Sequence, residues 1–268
     1  MLFFESVSGL TTTGATILAF EDYSTIPRGL MFWRSFIQFI GGIGIIVFSI
    51  AILPLMGFGG VQLFRAEVAG PVADKLTPRV KQTATLLWTI YFGLIIIQTI
   101  VLMIEGLTFY DSITHSFTTI ATAGFSTNPN SIGAYQPIVQ YTIVLFMIIA
   151  ASSFSLHYLA IRRGRVEYFK DREFKVYISL LVLFVFIFFA DNYSKYLFRE
   201  GVFEEGFRNS LFTAASLLTT TGFTNFDYET WGYTSQTMIF ILFFIGGCAG
   251  STTGAIKIIR TIVVFKFL

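Results

Sequence analysis

The sequence predicts an all-α membrane protein built from repeated units: a spanning helix, a short helix, a Thr–Gly loop and a second spanning helix. Three observations predict it. Apolar residues make up 54% of the 268, charged residues only 13%, and phenylalanine occurs 32 times. Soluble domains carry about a quarter charged residues, and one core of this size could not hide so much apolar surface, so the natural solvent is lipid. Long apolar runs alternate with helical runs too short to cross a bilayer. One stretch recurs three times, as Ser8 to Thr16, Thr118 to Ser126 and Ser216 to Thr224. With Gly14, Gly124 and Gly222 as a common origin, threonine stands two residues before it each time (Thr12, Thr122, Thr220). A small hydroxyl residue stands six before and two after. The glycines lie about a hundred residues apart, too far for solenoid repeats, so the repeated unit is a subdomain of several helices.

In chain order, residues 1–13 read as a short helix entering the first copy. Residues 29–56 form a long apolar run with Arg34 and Gln38 near its start and Gly41-Gly42-Ile43-Gly44 inside it, where a neighbour can approach closely. A polar connection (57–82) follows, with Arg65, Glu67, Asp74, Lys75, Arg79 and Lys81. Thr83 to Ile104 is a second spanning candidate, since roughly 20 helical residues cross a hydrocarbon core. Phe109 to Ala121 is too short to cross and leads into the second copy. Ile138 to Ile161 reads as one further span, with small residues from Ala150 to Ser153 at its middle. Arg162 to Lys175 is the most basic stretch. A third repeat begins with a helix from Val176 to about Ala190, extending at most to Phe198. Phe207 to Leu218 is again a short helix ending at a copy. The last run, Thr234 to Leu268, is broken by Gly246-Gly247-Cys248-Ala249-Gly250-Ser251-Thr252-Thr253-Gly254. The units are then 1–56, lacking a first helix, 83–162, and 176–268 with its last helix interrupted. The basic connections face the cytoplasm by the positive-inside rule, which puts all three Thr–Gly stretches toward the outer side.

Non-helical backbone at membrane depth is tolerated only when buried in protein or lining a watery cavity. Short helices ending in Thr–Gly turns fit that exception. Helix C-termini carry partial negative charge, and rings of carbonyls can replace the hydration shell of an alkali cation. Glycine supplies backbone freedom; threonine hydroxyls add oxygens or hold the segment. The plainer account is a close-packing surface of small residues. Three aligned copies, each after a non-spanning helix, weigh against it.

The residues quoted resemble the Trk/Ktr/HKT superfamily of potassium transporters, most closely its bacterial Trk or Ktr branch. Thr11 to Thr16, Ala121 to Thr127 and Thr219 to Thr224 look like the first three filter segments. Ile245 to Lys257 resembles the loop that interrupts the third repeat's last helix and acts as a gate below the filter. The resemblance covers essentially the whole chain. It implies a pseudo-fourfold, potassium-channel-like arrangement passing potassium inward, with K+ as the transported ion and no organic cofactor. The implied ion ligands are Thr12, Thr13, Gly14, Thr122, Ala123, Gly124, Thr220, Thr221 and Gly222; the implied gate is residues Gly246 to Gly254 with Lys257. Gly14 implies potassium preference, because serine there goes with sodium in the family. The family also has a helix before its first filter segment and a fourth repeat. Neither is found here, so the sequence is read as a fragment of a longer transporter. By resemblance that protein is a homodimer in the plasma (inner) membrane, carrying a cytosolic nucleotide-binding regulatory subunit on its basic loops. No nucleic-acid partner is implied.

The alternatives are a sodium-coupled or sodium-selective transporter of the same family, a carrier with inverted repeats, or a non-conducting scaffold. An enzyme is not expected: no HExxH or Walker motif occurs, and Ser155 and His157 are two apart on one helix. Glu105 and Asp111 read as solvated loop charges. His115 and His157 read as packing residues. Arg260 reads as a helix-end charge, while Lys257 is read as adjoining the gate. Trp88, Tyr91, Trp231 and Tyr233 read as interface anchors.

Overall fold

A computed structural model describes residues 2–47, 80–196 and 202–267. The end of the first apolar run (48–56), the connection carrying Arg65, Glu67, Asp74, Lys75 and Arg79, and Glu200 lie outside the described residues. Twelve α-helices are described. They are α1 (Leu2–Leu10), α2 (Asp22–Thr25), α3 (Arg28–Val47), α4 (Val80–Ile104), α5 (Phe109–Ile120) and α6 (Pro137–Ala150), then α7 (Phe154–Arg163), α8 (Val166–Lys170), α9 (Arg172–Tyr196), α10 (Val202–Leu218), α11 (Tyr233–Leu242) and α12 (Ile258–Phe267). Among the described residues the single β-type pairing is an isolated parallel bridge, Ile245 to Ile256.

Thr85–Ile104 and Arg172–Tyr193 are long and apolar enough to cross a membrane. Their outer faces (Ile96, Ile97 and Ile100; Val182 and Phe186) are exposed, as lipid-facing positions must be. The 20 residues of α3 reach about 30 Å at 1.5 Å per residue, a full hydrocarbon thickness.

Two expected helices run further than composition suggested. The third short helix begins at Val202 rather than Phe207. Glu204 and Glu205 fall in its first turn, where negative charge suits the helix N-terminus, and Glu204 meets Arg208 one turn on at 3.0 Å. Helix α9 continues past Ala190 because its polar residues find partners. Asn192 is fully buried and donates to Ser235 Oγ at 3.0 Å, and Asp191 accepts the Ser235 amide and hydroxyl at 3.0 and 2.7 Å.

The run Ile138 to Ile161 is not one straight span. It breaks at Ala151 to Ser153, and α6 and α7 meet at 95°. The freed peptide groups are taken up by the other interrupted run: Cys248 N donates to Ala151 O at 2.9 Å, and Phe154 N to Gly250 O at 3.0 Å. Two breaks thus satisfy each other where lipid could satisfy neither. His157 braces the bend, donating from Nε2 to Ile149 O at 2.9 Å and accepting Tyr168 at Nδ1 at 2.6 Å. The last run is non-helical from 243 to 257, wider than the Gly–Ser–Thr core of the motif.

Lipid tails are as apolar as leucine, so the interior is held by close packing. One cluster joins α3, α4 and α5 to the α6–α7 bend, with Phe39 and Phe117 ring centroids 4.9 Å apart. The other gathers α6, α9, α10 and α11 around Met147, Tyr177, Phe188 and Phe212. The glycines of α3 permit its contacts: a Cβ on Gly41 would overlap Leu10 O, and one on Gly42 would press on Ala121. Tyr91 and Trp231 belong to this packing, at 0% and 5% exposure, and Tyr91 donates to Phe39 O. Only Trp88 and Tyr233 lie at the surface as the anchor reading requires.

Candidate functional site

Helices α1, α5 and α10 end alike. The amides of Thr13, Ala123 and Thr221 each donate at 2.9 Å to the carbonyl five residues back, on Ser8, Thr118 and Ser216. The amides of Thr12, Thr122 and Thr220 donate three residues back, to Gly9, Thr119 and Leu217. This is the Schellman closure, whose left-handed position normally takes glycine. Here threonine fills it, with φ of 54°, 50° and 54°. Such a conformation costs a β-branched residue about 1–2 kcal/mol. Three identical instances mark stored strain at a functional position. The hydroxyls offset part of it: Thr12 and Thr122 donate to the preceding carbonyl at 2.7 and 2.8 Å, and Thr220 accepts Gly254 N at 2.8 Å.

Two residues on, Gly14, Gly124 and Gly222 are also left-handed, with φ of 76°, 80° and 81°, while the residue between has negative φ. The segments abut in order. A Cβ on Gly14 would overlap Ala123 O, and one on Gly124 would overlap Thr221 O; among the described residues a Cβ on Gly222 would meet nothing within 4 Å. Substitution at Gly14 or Gly124 is therefore opposed twice, by φ and by the neighbouring carbonyl.

The hydroxyl six residues before each glycine has a task in two copies. Ser8 Oγ donates to Ala15 O at 2.5 Å and Ser216 Oγ to Phe223 O at 2.6 Å. In the second copy Thr118 bonds within its own helix. Gln38 of α3 holds that loop instead, donating to Ala123 O at 2.8 Å and accepting Phe125 N at 3.1 Å. Farther out, Glu5 accepts Thr16 Oγ1 and Ile17 N at 2.9 and 2.8 Å and pairs with Arg34 at 2.9 Å. His115 is wholly buried; it donates from Nδ1 to Asp111 O at 2.7 Å and accepts Ser126 at Nε2 at 3.0 Å, tying the second short helix to its loop. Asp111 is not a free loop charge: it accepts Thr127 and Thr108 at 2.9 and 2.7 Å. Glu105 likewise accepts Thr142. Tyr135 packs against His115, and burial pushes its phenol up to about 12, so it remains neutral.

The interrupting loop reaches the helix-side ends of the second and third segments. Thr252 donates to Ile120 O at 3.0 Å and lies 3.2 Å from Thr122 Oγ1, while Gly254 N bonds Thr220. Glu173, only 9% exposed, accepts Ala249 N and Ile259 N at 2.8 and 3.1 Å. Gly246 N donates to Ile256 O at 2.9 Å, Ser251 Oγ to Cys248 O at 2.6 Å, and Gly247 O accepts Ile258 N. Lys257 is buried and donates to the Thr253 carbonyl and hydroxyl. Arg260 is exposed.

The nine expected ligand residues and the expected loop therefore lie at one place. Glu5, Gln38 and Glu173 were not anticipated there. Gln38 carried a signal, being a polar residue inside an apolar span. No group of three or more His, Cys, Asp and Glu side chains among the described residues could hold a metal ion. The available oxygens are peptide carbonyls and hydroxyls, the ligands of hard monovalent cations rather than of transition metals.

The sequence pattern of the family described as TrkH, cation transport protein, matches residues 2–268. The chain belongs to the TrkH family. It is 42% identical over 263 residues to a Trk system potassium uptake protein TrkH of Vibrio parahaemolyticus, covering 96% of this chain and 53% of that one. It is 40% identical to the TrkH of Escherichia coli K12, covering 98% and 54%. The crystal structure of the potassium transporter TrkH from Vibrio parahaemolyticus superposes with a TM-score of 0.83 at 37% identity, over 98% of this chain and 53% of that one. The chain spans about half the length of these relatives. TrkH proteins are helical membrane transporters, and catalysis is not their business.

Proposed function

We propose that this chain supplies three segments of a channel-like pore for potassium uptake across the plasma membrane. One observation carries the reading: three Thr-x-Gly segments with the same alternation of φ abut in order, Gly14 packed against the Ala123 carbonyl and Gly124 against the Thr221 carbonyl. The proposed ligands are the carbonyl and hydroxyl oxygens of Thr12, Thr13, Gly14, Thr122, Ala123, Gly124, Thr220, Thr221 and Gly222. The C-terminal ends of α1, α5 and α10 add negative potential at the same place. The relatives' names as potassium uptake proteins support the choice of ion. Among the described residues nothing packs against Gly222, which leaves room there for a fourth segment of the kind the resembling family has.

The loop 243–257 is proposed as the gate, since Thr252 and Gly254 touch the helix-side ends of two segments. The units 1–56, 83–162 and 176–268 are proposed as the repeats. Arg162, Arg163, Arg165, Arg172 and Lys175 are all exposed, a basic surface suited to a nucleotide-binding regulatory subunit with an acidic face. A homodimer is proposed by the same resemblance. The test is potassium-limited growth of cells lacking their own uptake systems, with the full-length gene supplied in trans. Growth restored by the natural protein and abolished by Gly124→Val, at equal membrane levels, supports a pore. Growth unaffected by Gly124→Val refutes it.

A further inference from the structure

We propose that Gln38 and Arg34 of α3 are positioning residues that set the ion selectivity of the pore; this rests on the pore reading above. They stand one turn apart on one face of the helix. Both are buried, at 0% and 7% exposure, in a segment long enough to cross the membrane. An amide and a guanidinium buried in an apolar helix are costly unless bonded; Gln38 is bonded to the second Thr–Gly segment, and Arg34 to Glu5, Thr16 and Met31.

Gln38 brackets Gly124. Its Nε2 donates to the carbonyl just before the glycine and its Oε1 accepts the amide just after it, at 2.8 and 3.1 Å. It does for the second segment what Ser8 and Ser216 do for the other two, but from a different repeat and on a different carbonyl. The Ala123 carbonyl is one of the proposed ligand oxygens, and it packs against Gly14 of the first segment. Its direction is therefore governed by the Gln38 side chain. Arg34 works farther out. It binds Glu5 Oε2 through Nε at 2.9 Å and Thr16 Oγ1 through an Nη at 3.1 Å, and its guanidinium carbon lies 4.1 Å from the Phe125 ring centroid. One side chain thus joins the flank of the first segment to that of the second, by a hydrogen bond and a cation–π contact. Together the two residues fix the spacing between adjacent carbonyl rows. Discrimination among alkali cations depends on the number and placement of those oxygens, so the loss should appear in selectivity more than in throughput.

The test uses the full-length transporter expressed from its own gene in cells lacking potassium uptake systems, reading rubidium and sodium uptake side by side. Gln38→Met keeps the length and loses both bonds; Gln38→Glu keeps the acceptor for Phe125, replaces the donor to Ala123 by an oxygen and adds a carboxylate; Arg34→Lys keeps the charge and loses the fork. The expected result is a fall of about tenfold in the rubidium-to-sodium ratio for Gln38→Met, the scale of one or two lost buried hydrogen bonds. Arg34→Lys should lower the ratio in the same direction. If the methionine protein does not reach the membrane, Gln38→Glu is read by the same ratio. Uptake that falls with the ratio unchanged in these variants makes the residues merely structural and overturns the proposal, while the pore reading stands if Gly14→Ser does shift the ratio. A natural protein that takes up neither ion overturns both.

Discussion

The hydroxyls of Thr252 and Thr122 lie 3.2 Å apart, and Thr252 donates to the carbonyl of Ile120 at 3.0 Å. A loop interrupting one helix is thereby latched to the end of a short helix 130 residues earlier. The donated bond to Ile120 is neutral, worth about 1 kcal/mol net, which suits a loop proposed to release.

Thr252→Val keeps the shape and removes the hydroxyl. It should raise potassium uptake several-fold by weakening the closed position of the loop. In a double-mutant cycle with Thr122→Val the two changes should be non-additive by roughly 0.5 kcal/mol or more, as for residues in contact. Additive effects on uptake would show that the hydroxyls do not act together.

At Gly14 a serine side chain would meet the Ala123 carbonyl at a φ of 76°. The first and second segments must part to admit it. Gly14→Ser should therefore reduce preference for potassium over sodium, read as the ratio of the two uptake rates. An unchanged ratio would mean that these two segments do not surround the ion.

Glu173 holds a buried amide, of Ala249, and a half-buried one, of Ile259, with one oxygen. Glu173→Leu leaves the Ala249 and Ile259 amides unpaired, a penalty of about 1–3 kcal/mol each, whereas Glu173→Gln keeps an acceptor and should cost less. Cys248, the chain's one cysteine, is 1% exposed inside the same loop and reports on it directly. Its labelling by a thiol reagent should be slow in the natural protein, faster in Glu173→Gln and fastest in Glu173→Leu. Equal rates in all three would show that Glu173 does not secure the loop.

At Thr122, with φ of 50°, serine should be tolerated better than valine. Serine keeps the hydroxyl bonded to Ala121 O and relieves the β-branch strain; valine keeps the strain and loses the bond. Thermal unfolding in detergent should place Thr122→Ser near the natural protein and Thr122→Val several degrees lower. The reverse order would assign the threonine's value to its methyl group.

Much of the architecture was legible in the residues. Hydrophobic run length identified α4 and α9 as spans, because a bilayer imposes one thickness on every crossing helix. The recurrence around Gly14, Gly124 and Gly222 located the three left-handed turns, because few residues other than glycine accept φ near 80°. The bend at Ala151 was not legible. Residues 138–161 are apolar enough for a straight helix, and the peptide groups freed at its break bond the backbone of Cys248 and Gly250, nearly a hundred residues away. Composition also misjudged Asp111 and Glu105, since charge alone does not reveal that a carboxylate has found a hydroxyl.

The sequence alone determined the solvent, the number of turns of the Thr–Gly kind and their chemistry, because these follow from local composition and from the conformations each residue permits. Only the tertiary structure decided which segment abuts which, that Gln38 rather than a serine supports the second of them, and that Glu173 anchors the interrupting loop. Those outcomes depend on hydrogen bonds between residues far apart in the chain, and no local property of either partner encodes the pairing.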